Sequence, residues 1–115
     1  MEYSILEKEN CVVVAFKGQL MGGPEAQKFR DEINALAEKG NANVVGDMGK
    51  VSFLNSSGLG ILIATLTSLR SKGGDLKLCN ATERIRSLLK ISKLFTVFDM
   101  YKTQDEAINS FQQNS

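Results

Sequence analysis

The feature that most constrains this chain is the junction Val51-Ser52-Phe53-Leu54-Asn55-Ser56-Ser57-Gly58-Leu59-Gly60-Ile61-Leu62, where an extended segment gives way, through small polar residues, to an apolar helix. Short side chains such as Asn and Ser accept hydrogen bonds from the first free N–H groups of a helix, and the positive end of the helix dipole attracts anions to the same place. A strand that runs directly into a capped apolar helix must bury both, which is the unit of a layered domain. Asn55, Ser56 and Ser57 read as a plain cap or as exposed hydroxyls pre-positioned for a phosphate, and the local residues leave both readings open.

The rest of the chain repeats this alternation. Tyr3 to Glu7 predicts a short edge strand; after a polar turn at Lys8-Glu9-Asn10, the β-branched run from Cys11 to Phe16 predicts a buried strand that Gly18 ends, and the two make an opening hairpin. The glycine-rich loop Gln19-Leu20-Met21-Gly22-Gly23 leads into a helix from Pro24 to Lys39 that shows Ala26, Phe29, Ile33, Leu36 and Ala37 on one face and stops at Gly40. Asn43 to Met48 predicts a strand, and Gly49-Lys50 a turn into the junction segment. The helix beginning near Ser57 carries Leu59, Leu62, Ile63, Leu66 and Leu69 at helical spacing, with Ile61 and Ala64 off that stripe; being apolar on more than one side, it suits deep burial or a partner.

Gly73-Gly74 closes that helix, and Asp75 to Cys79 alternates as a strand. Asn80-Ala81-Thr82-Glu83 has the spacing of a cap and its carboxylate, opening a helix with Ile85, Leu88, Leu89 and Ile91 inward and Arg84, Arg86 and Lys90 outward; Lys93 extends the basic character. Leu94 to Phe98 predicts a last short strand, Thr103-Gln104-Asp105-Glu106 a capping box before a helix with Ala107, Ile108 and Phe111, and Gln112 to Ser115 a fraying tail. The order β-β-α-β-α-β-α-β-α requires crossover connections. It predicts an α/β fold with a mostly parallel four- to five-stranded sheet, an antiparallel edge strand and about four helices. Leu54-Asn55-Ser56-Ser57 and Leu20-Met21-Gly22-Gly23 both follow a strand and precede a helix, so both loops are expected at one end of the sheet, as one surface.

Charge and composition exclude several functions. A net charge of +1 offers no electrostatic footprint for direct nucleic-acid binding. No apolar run approaches the roughly 20 residues that span a bilayer. The start, Met1-Glu2-Tyr3-Ser4, lacks the basic and apolar regions of a signal peptide, so a cytoplasmic protein is expected. Cys11 and Cys79 lie in apolar, strand-like segments without Cys-x-x-Cys spacing, which predicts packing rather than metal or redox chemistry. Histidine is absent, removing the usual general base, the usual partner of a nucleophilic serine and the commonest zinc ligand. No catalytic residue, metal or cofactor is therefore expected, and the chain does not read as an enzyme. A hydrolase built on Ser56 would need Lys50, Lys72 or Lys93 as its base, and nothing in the sequence brings any of them to it.

Asp47, Phe53, the run Asn55-Ser56-Ser57-Gly58-Leu59-Gly60, and Gly73-Gly74 followed by a strand resemble the STAS domain of bacterial anti-sigma factor antagonists. The resemblance covers nearly the whole chain, and its most specific part is Ser56-Ser57-Gly58-Leu59-Gly60 at the start of the second helix. It implies a single STAS domain over residues 1–115 and a partner-switching role. In that family the unmodified antagonist binds an anti-sigma factor that is also a serine kinase, which frees a sigma factor; phosphorylation of one serine abolishes the binding and a serine phosphatase restores it. By the same resemblance the phosphoacceptor is Ser56, and the partner-binding residues are Met21, Gly22, Gly23, Asn55, Ser56, Ser57, Gly58 and Leu59. A phosphate adds about 1.5 to 2 negative charges, which a helix N-terminus tolerates and a close-packed interface does not.

The chain departs from the family in two places. Asn55 stands where Asp is usual, which keeps the cap and drops the charge. Met21 stands where members often carry an acidic residue after Gly-x-Leu, which makes that surface more apolar. An alternative implied by the same fold is an accessory or ligand-sensing STAS module that docks on a signalling or transport protein without serine phosphorylation and binds a nucleotide or lipid.

Overall fold

The computed structural model describes residues 1–94 and 96–112. Its strands are β1 (Glu2–Glu7), β2 (Val12–Leu20), β3 (Asn43–Leu54), β4 (Asp75–Cys79) and β5 (Asp99–Tyr101); its helices are α1 (Pro24–Glu38), α2 (Ser56–Ser71), α3 (Glu83–Ile91) and α4 (Gln104–Gln112). The strands form one sheet in sequence order. β1 and β2 pair antiparallel and the later pairs are parallel, as the alternation of elements requires.

Side chains alternate across a strand, so the sheet has two faces to cover. Each crossover advances by one strand in the same direction, and right-handed connections of that kind place their helices on one face. There, Val14, Phe16, Val44, Leu76 and Leu78 meet Phe29 and Ile33 of α1, Leu62, Leu66 and Leu69 of α2, and Ile85 and Leu89 of α3. One residue along, Val13, Val45 and Cys79 point to the other face and pack with Ala107 and Phe111 of α4. Phe29 makes edge-to-face contacts with Phe16 at 5.3 Å and Tyr3 at 5.1 Å. The Tyr3 hydroxyl donates to Glu32 at 2.6 Å and ties β1 to α1. α2, apolar on more than one side, is the deeply buried helix: Ile61 and Thr65, off its main stripe, are buried too, and the Thr65 hydroxyl donates to the Ile61 carbonyl at 2.7 Å.

The structure corrects several local expectations. Gly18 does not end β2; the strand continues to Leu20, and Gly18, with φ +77, sits at a register shift. Gly49-Lys50 is not a turn between two strands. β3 runs unbroken from Asn43 to Leu54, and its two surplus residues are absorbed as bulges, one between the pairs Ala15–Asp47 and Lys17–Lys50 and one between Gly18–Val51 and Gln19–Phe53. Asp47 holds the first bulge: its Oδ1 accepts from the Gly49 N–H at 2.9 Å, while its carboxylate also accepts from Asn80 at 3.3 Å and Gln104 at 3.0 Å. Asn80 is therefore not the cap of α3. It adopts φ +57 to reach Asp47, and Thr82 caps instead, its Oγ1 accepting from the Ile85 N–H at 3.3 Å.

The last strand is Asp99–Tyr101, not Leu94 to Phe98. Thr96 and Val97 lie in a turn whose Val97 carbonyl accepts from Arg70 at 3.3 Å, and Phe98 enters the core instead of pairing. Phe95 and residues 113–115, part of the expected strand and of the expected tail, lie outside the described residues. Ile91 does not face inward; it is 79% exposed.

Candidate functional site

β2 and β3 end side by side. Leu20 pairs with Leu54, and the next N–H, that of Asn55, donates to the Leu20 carbonyl at 3.3 Å. Because the two strands are parallel, both chains then leave the sheet at the same end, and the two loops form the shared surface that their sequence positions imply. Asn55 is the extended N-cap of α2: its Oδ1 accepts from the Gly58 N–H at 2.8 Å, and its carbonyl accepts from the Leu59 N–H at 2.9 Å. Gly58 lies buried beneath the helix start, where an added Cβ would overlap the Leu20 carbonyl, so α2 begins this close to β2 only because position 58 has no side chain.

Gly22, at φ +82, lies against Ser57; a Cβ on it would come within 3.1 Å of the Ser57 Cβ. The Met21–Gly23 loop therefore abuts the Ser57 side of the helix start. Ser56 lines a different hollow of about 230 Å³, walled by Leu54, Leu59, Leu88 and Ile91, with Asn55 and Ser92 at its edge. Ser56, Ser57 and Gly23 are exposed, Met21 is 44% exposed, and Asn55, Gly22 and Leu59 are half-buried. Gly58, buried, shapes this surface from below instead of contributing to it.

The charges around the helix start are unlike those at the others. α1 begins with Glu25, α3 with Glu83, and α4 with Asp105 and Glu106, whereas the first turn of α2 has no acidic residue. The Ser56 and Ser57 amides, as in any first turn, have no intrahelical acceptor, and the positive end of the dipole is left uncompensated by the helix's own side chains. Nearby, the Arg84 guanidinium lies 5.8 Å from the centre of the Phe53 ring. The surface therefore sets a helix start without acidic residues beside an apolar hollow.

The groups whose acidity shifts lie elsewhere. Burial pushes the Cys79 thiol up to about 12, with the Asp47 carboxylate adding to the effect, and burial also raises Cys11. Burial and the hydrogen bond to Glu32 raise the Tyr3 hydroxyl to about 12. Both thiols are free and buried, and burial favours their protonated form.

Leu88, Ile91 and Ser92, in and just past the last turn of α3, belong to this surface and were not among the residues expected there. The signal for Ile91 lay in the helical period. Ile85, Leu88 and Leu89 define a face that Ser92 continues, and an isoleucine one position earlier falls outside it.

A family model for the STAS domain matches residues 2–107 of the chain. The anti-sigma-B factor antagonist of Bacillus subtilis is 31% identical to it over 96 residues, covering 84% of this chain and 86% of that relative. The structure aligns with that of the anti-sigma factor antagonist SpoIIAA in its unphosphorylated form at a TM-score of 0.82 and 20% identity, covering 97% of each chain. It also aligns with the Bacillus cell fate determinant SpoIIAA in the phosphorylated form at a TM-score of 0.73 and 22% identity, covering 95% of this chain and 98% of that one.

Proposed function

We propose, from the premise that this chain belongs to the STAS domain family, that it is an anti-sigma factor antagonist whose binding is switched by phosphorylation of Ser56. In its unmodified form it binds an anti-sigma factor through the start of α2 and the Met21–Gly23 loop, and so releases a sigma factor. The serine kinase activity of that partner modifies Ser56, and a serine phosphatase resets it. The observation that carries this reading is the exposed Ser56 hydroxyl at a helix start without acidic residues, beside the apolar hollow of Leu59, Leu88 and Ile91. The name of the Bacillus subtilis relative and the existence of SpoIIAA in phosphorylated and unphosphorylated forms support it.

The physics of the switch follows from where the charge arrives. A phosphoserine brings about 1.5 to 2 negative charges and three acceptor oxygens, which the amides and dipole at the start of α2 accommodate. The same charge in an interface packed on Leu59, Leu88 and Ile91 would have to be stripped of water, a cost that apolar contacts do not offset. The fold survives and the complex does not. Asn55 contributes here: it retains the 2.8 Å cap bond to Gly58, and, being neutral, it sets no like charge next to a phosphate on Ser56.

Incubation with the cognate anti-sigma factor kinase and ATP, followed by mass spectrometry, tests the switch. One phosphate on Ser56 is expected, and a phosphate elsewhere or none at all overturns the assignment. In parallel, Ser56→Asp is expected to weaken capture of the partner by about tenfold or more without lowering the stability of the protein.

A further inference from the structure

At the end of the sheet opposite Ser56, β3 and β4 begin side by side, with Asn43 paired to Asp75. Here a pocket of about 370 Å³ opens between Asn10, Asn43, the Gly73-Gly74 turn, Asp75, Lys77 and Phe111. Lys77 is the unusual member. It is only 4% exposed, on the face of β4 that α4 covers. Its ammonium donates one hydrogen bond, to Ser110 Oγ at 2.8 Å, and lies 4.3 Å from the centre of the Phe111 ring and 5.7 Å from that of Tyr101.

Among the described residues Lys77 forms no ion pair; the salt bridge in its vicinity joins Arg70 to Asp75 at 3.1 Å. Buried charges are ordinarily paired, because an ammonium removed from water recovers its hydration only from a counter-ion and a full set of acceptors. Aromatic faces return part of that loss but fill none of the hydrogen-bonding positions. Two of the three ammonium protons have no acceptor among the described residues. The side-chain amides of Asn10 and Asn43, on the same pocket wall, make no hydrogen bond there either. The Asp75 carboxylate has its own counter-charge: its Oδ1 accepts from Arg70 at 3.1 Å and from the Leu76 N–H at 2.9 Å.

We propose that this pocket binds a small oxyanion, a phosphate or a carboxylate, with Lys77 meeting its charge and the Asn10 and Asn43 amides donating to its remaining oxygens. The ring of Phe111 closes one side. The length of β3, 12 residues, separates this pocket from Ser56, so its ligand does not occlude the proposed partner surface.

Titration of the full chain with inorganic phosphate, adenosine monophosphate and succinate, each against sodium chloride at matched ionic strength, tests it through backbone amide NMR shifts. Saturable shifts at Gly73, Gly74 and Asp75 with at least one of the three are expected, and the phosphate and succinate arms tell the two sources of the anion apart. Lys77→Met, close in shape and without charge, is expected to weaken that binding roughly ten- to a hundredfold, the range for losing a charge-assisted hydrogen bond. Asn43→Ala is expected to weaken it by a smaller factor and serves if the lysine variant does not fold. Ser56→Asp should leave the affinity unchanged, so failure of the switch and failure of this site are separate results. Absence of saturable shifts with all three probes, or binding that is unaltered by both pocket substitutions, overturns the proposal.

Discussion

The starts of α2 and α4, helices on opposite faces of the sheet, are capped alike and charged differently. Asn55 Oδ1 accepts from the Gly58 N–H at 2.8 Å, and Thr103 Oγ1 accepts from the Glu106 N–H at 3.1 Å. After the cap, α4 places Asp105 and Glu106 at the positive end of its dipole, whereas α2 places Ser56 and Ser57 there. In α4 the charge is permanent and serves the fold. In α2 the first turn is kept neutral, with Ser56 and Ser57 exposed, which is what the proposed reversible charge on Ser56 requires. The two also differ in how close they come to the backbone behind them, since only α2 is seated on a strand carbonyl through a glycine.

The largest effect expected from this comparison is on that seating. Gly58→Ala drives a methyl group into the Leu20 carbonyl, and because the obstacle is backbone the whole helix start must lift, at a cost of about 3 kcal/mol or more in urea unfolding. The matching third helical position of α4 is exposed, and Glu106→Ala there is expected to cost only about 0.5 kcal/mol. Equal effects at the two positions would break the claim that α2 is held by close approach.

The next effect concerns what each helix start has beside it. Ile91 borders the start of α2 and is 79% exposed. Ile91→Ala is expected to lower partner affinity by about 1 to 2 kcal/mol, as truncation of an interface anchor does, while leaving stability within about 0.5 kcal/mol of wild type. Unchanged partner binding would remove α3 from the interface. Below this in size lie the caps. Asn55→Ala and Thr103→Ala should each cost about 1 kcal/mol, read from denaturant midpoints. A much smaller loss at Asn55 would show that the seating, and not the cap, fixes the start of α2.

Much of this arrangement is legible in the sequence, and what is not has identifiable causes. The periods of Phe29, Ile33 and Ala37, and of Leu62, Leu66 and Leu69, lie within single elements, and the alternation of elements dictates parallel pairing, which brings the Leu20 and Leu54 loops together. The bulges were illegible because glycine beside a polar residue marks a turn and a bulge alike. What decides at Gly49-Lys50 is the register of β2, where Ala15 faces Asp47 and Lys17 faces Lys50. Asn80 has the spacing of a cap, but a carboxylate 33 residues earlier holds it in another conformation. At the end of the apolar run that suggested a strand, Phe98 fills the core and does not join the ladder. Lys77 shows its face through the alternation Asp75-Lys77-Cys79, but that this face would be covered by α4, and the lysine buried, depends on a helix 27 residues further on.

The smallest effect tests the comparison most directly, because it depends on the sign of charge alone. If the positive end of the α2 dipole is uncompensated, a carboxylate placed there should stabilise the protein. If the α4 end is already served, removing one of its carboxylates should do the reverse. Ser56→Asp is therefore expected to raise the unfolding free energy by about 0.3 to 1 kcal/mol at low ionic strength, and Asp105→Asn to lower it by about as much. Both positions are exposed, so both effects should shrink as salt is raised and the screening length falls to about 3 Å near 1 M. The pair of signs separates electrostatics from packing, since a steric change would persist in salt and has no reason to reverse between the two helices. Destabilisation by Ser56→Asp that persists in high salt would mean that the start of α2 does not accommodate a negative charge. The fold would then be disturbed by phosphorylation together with the complex, instead of being spared.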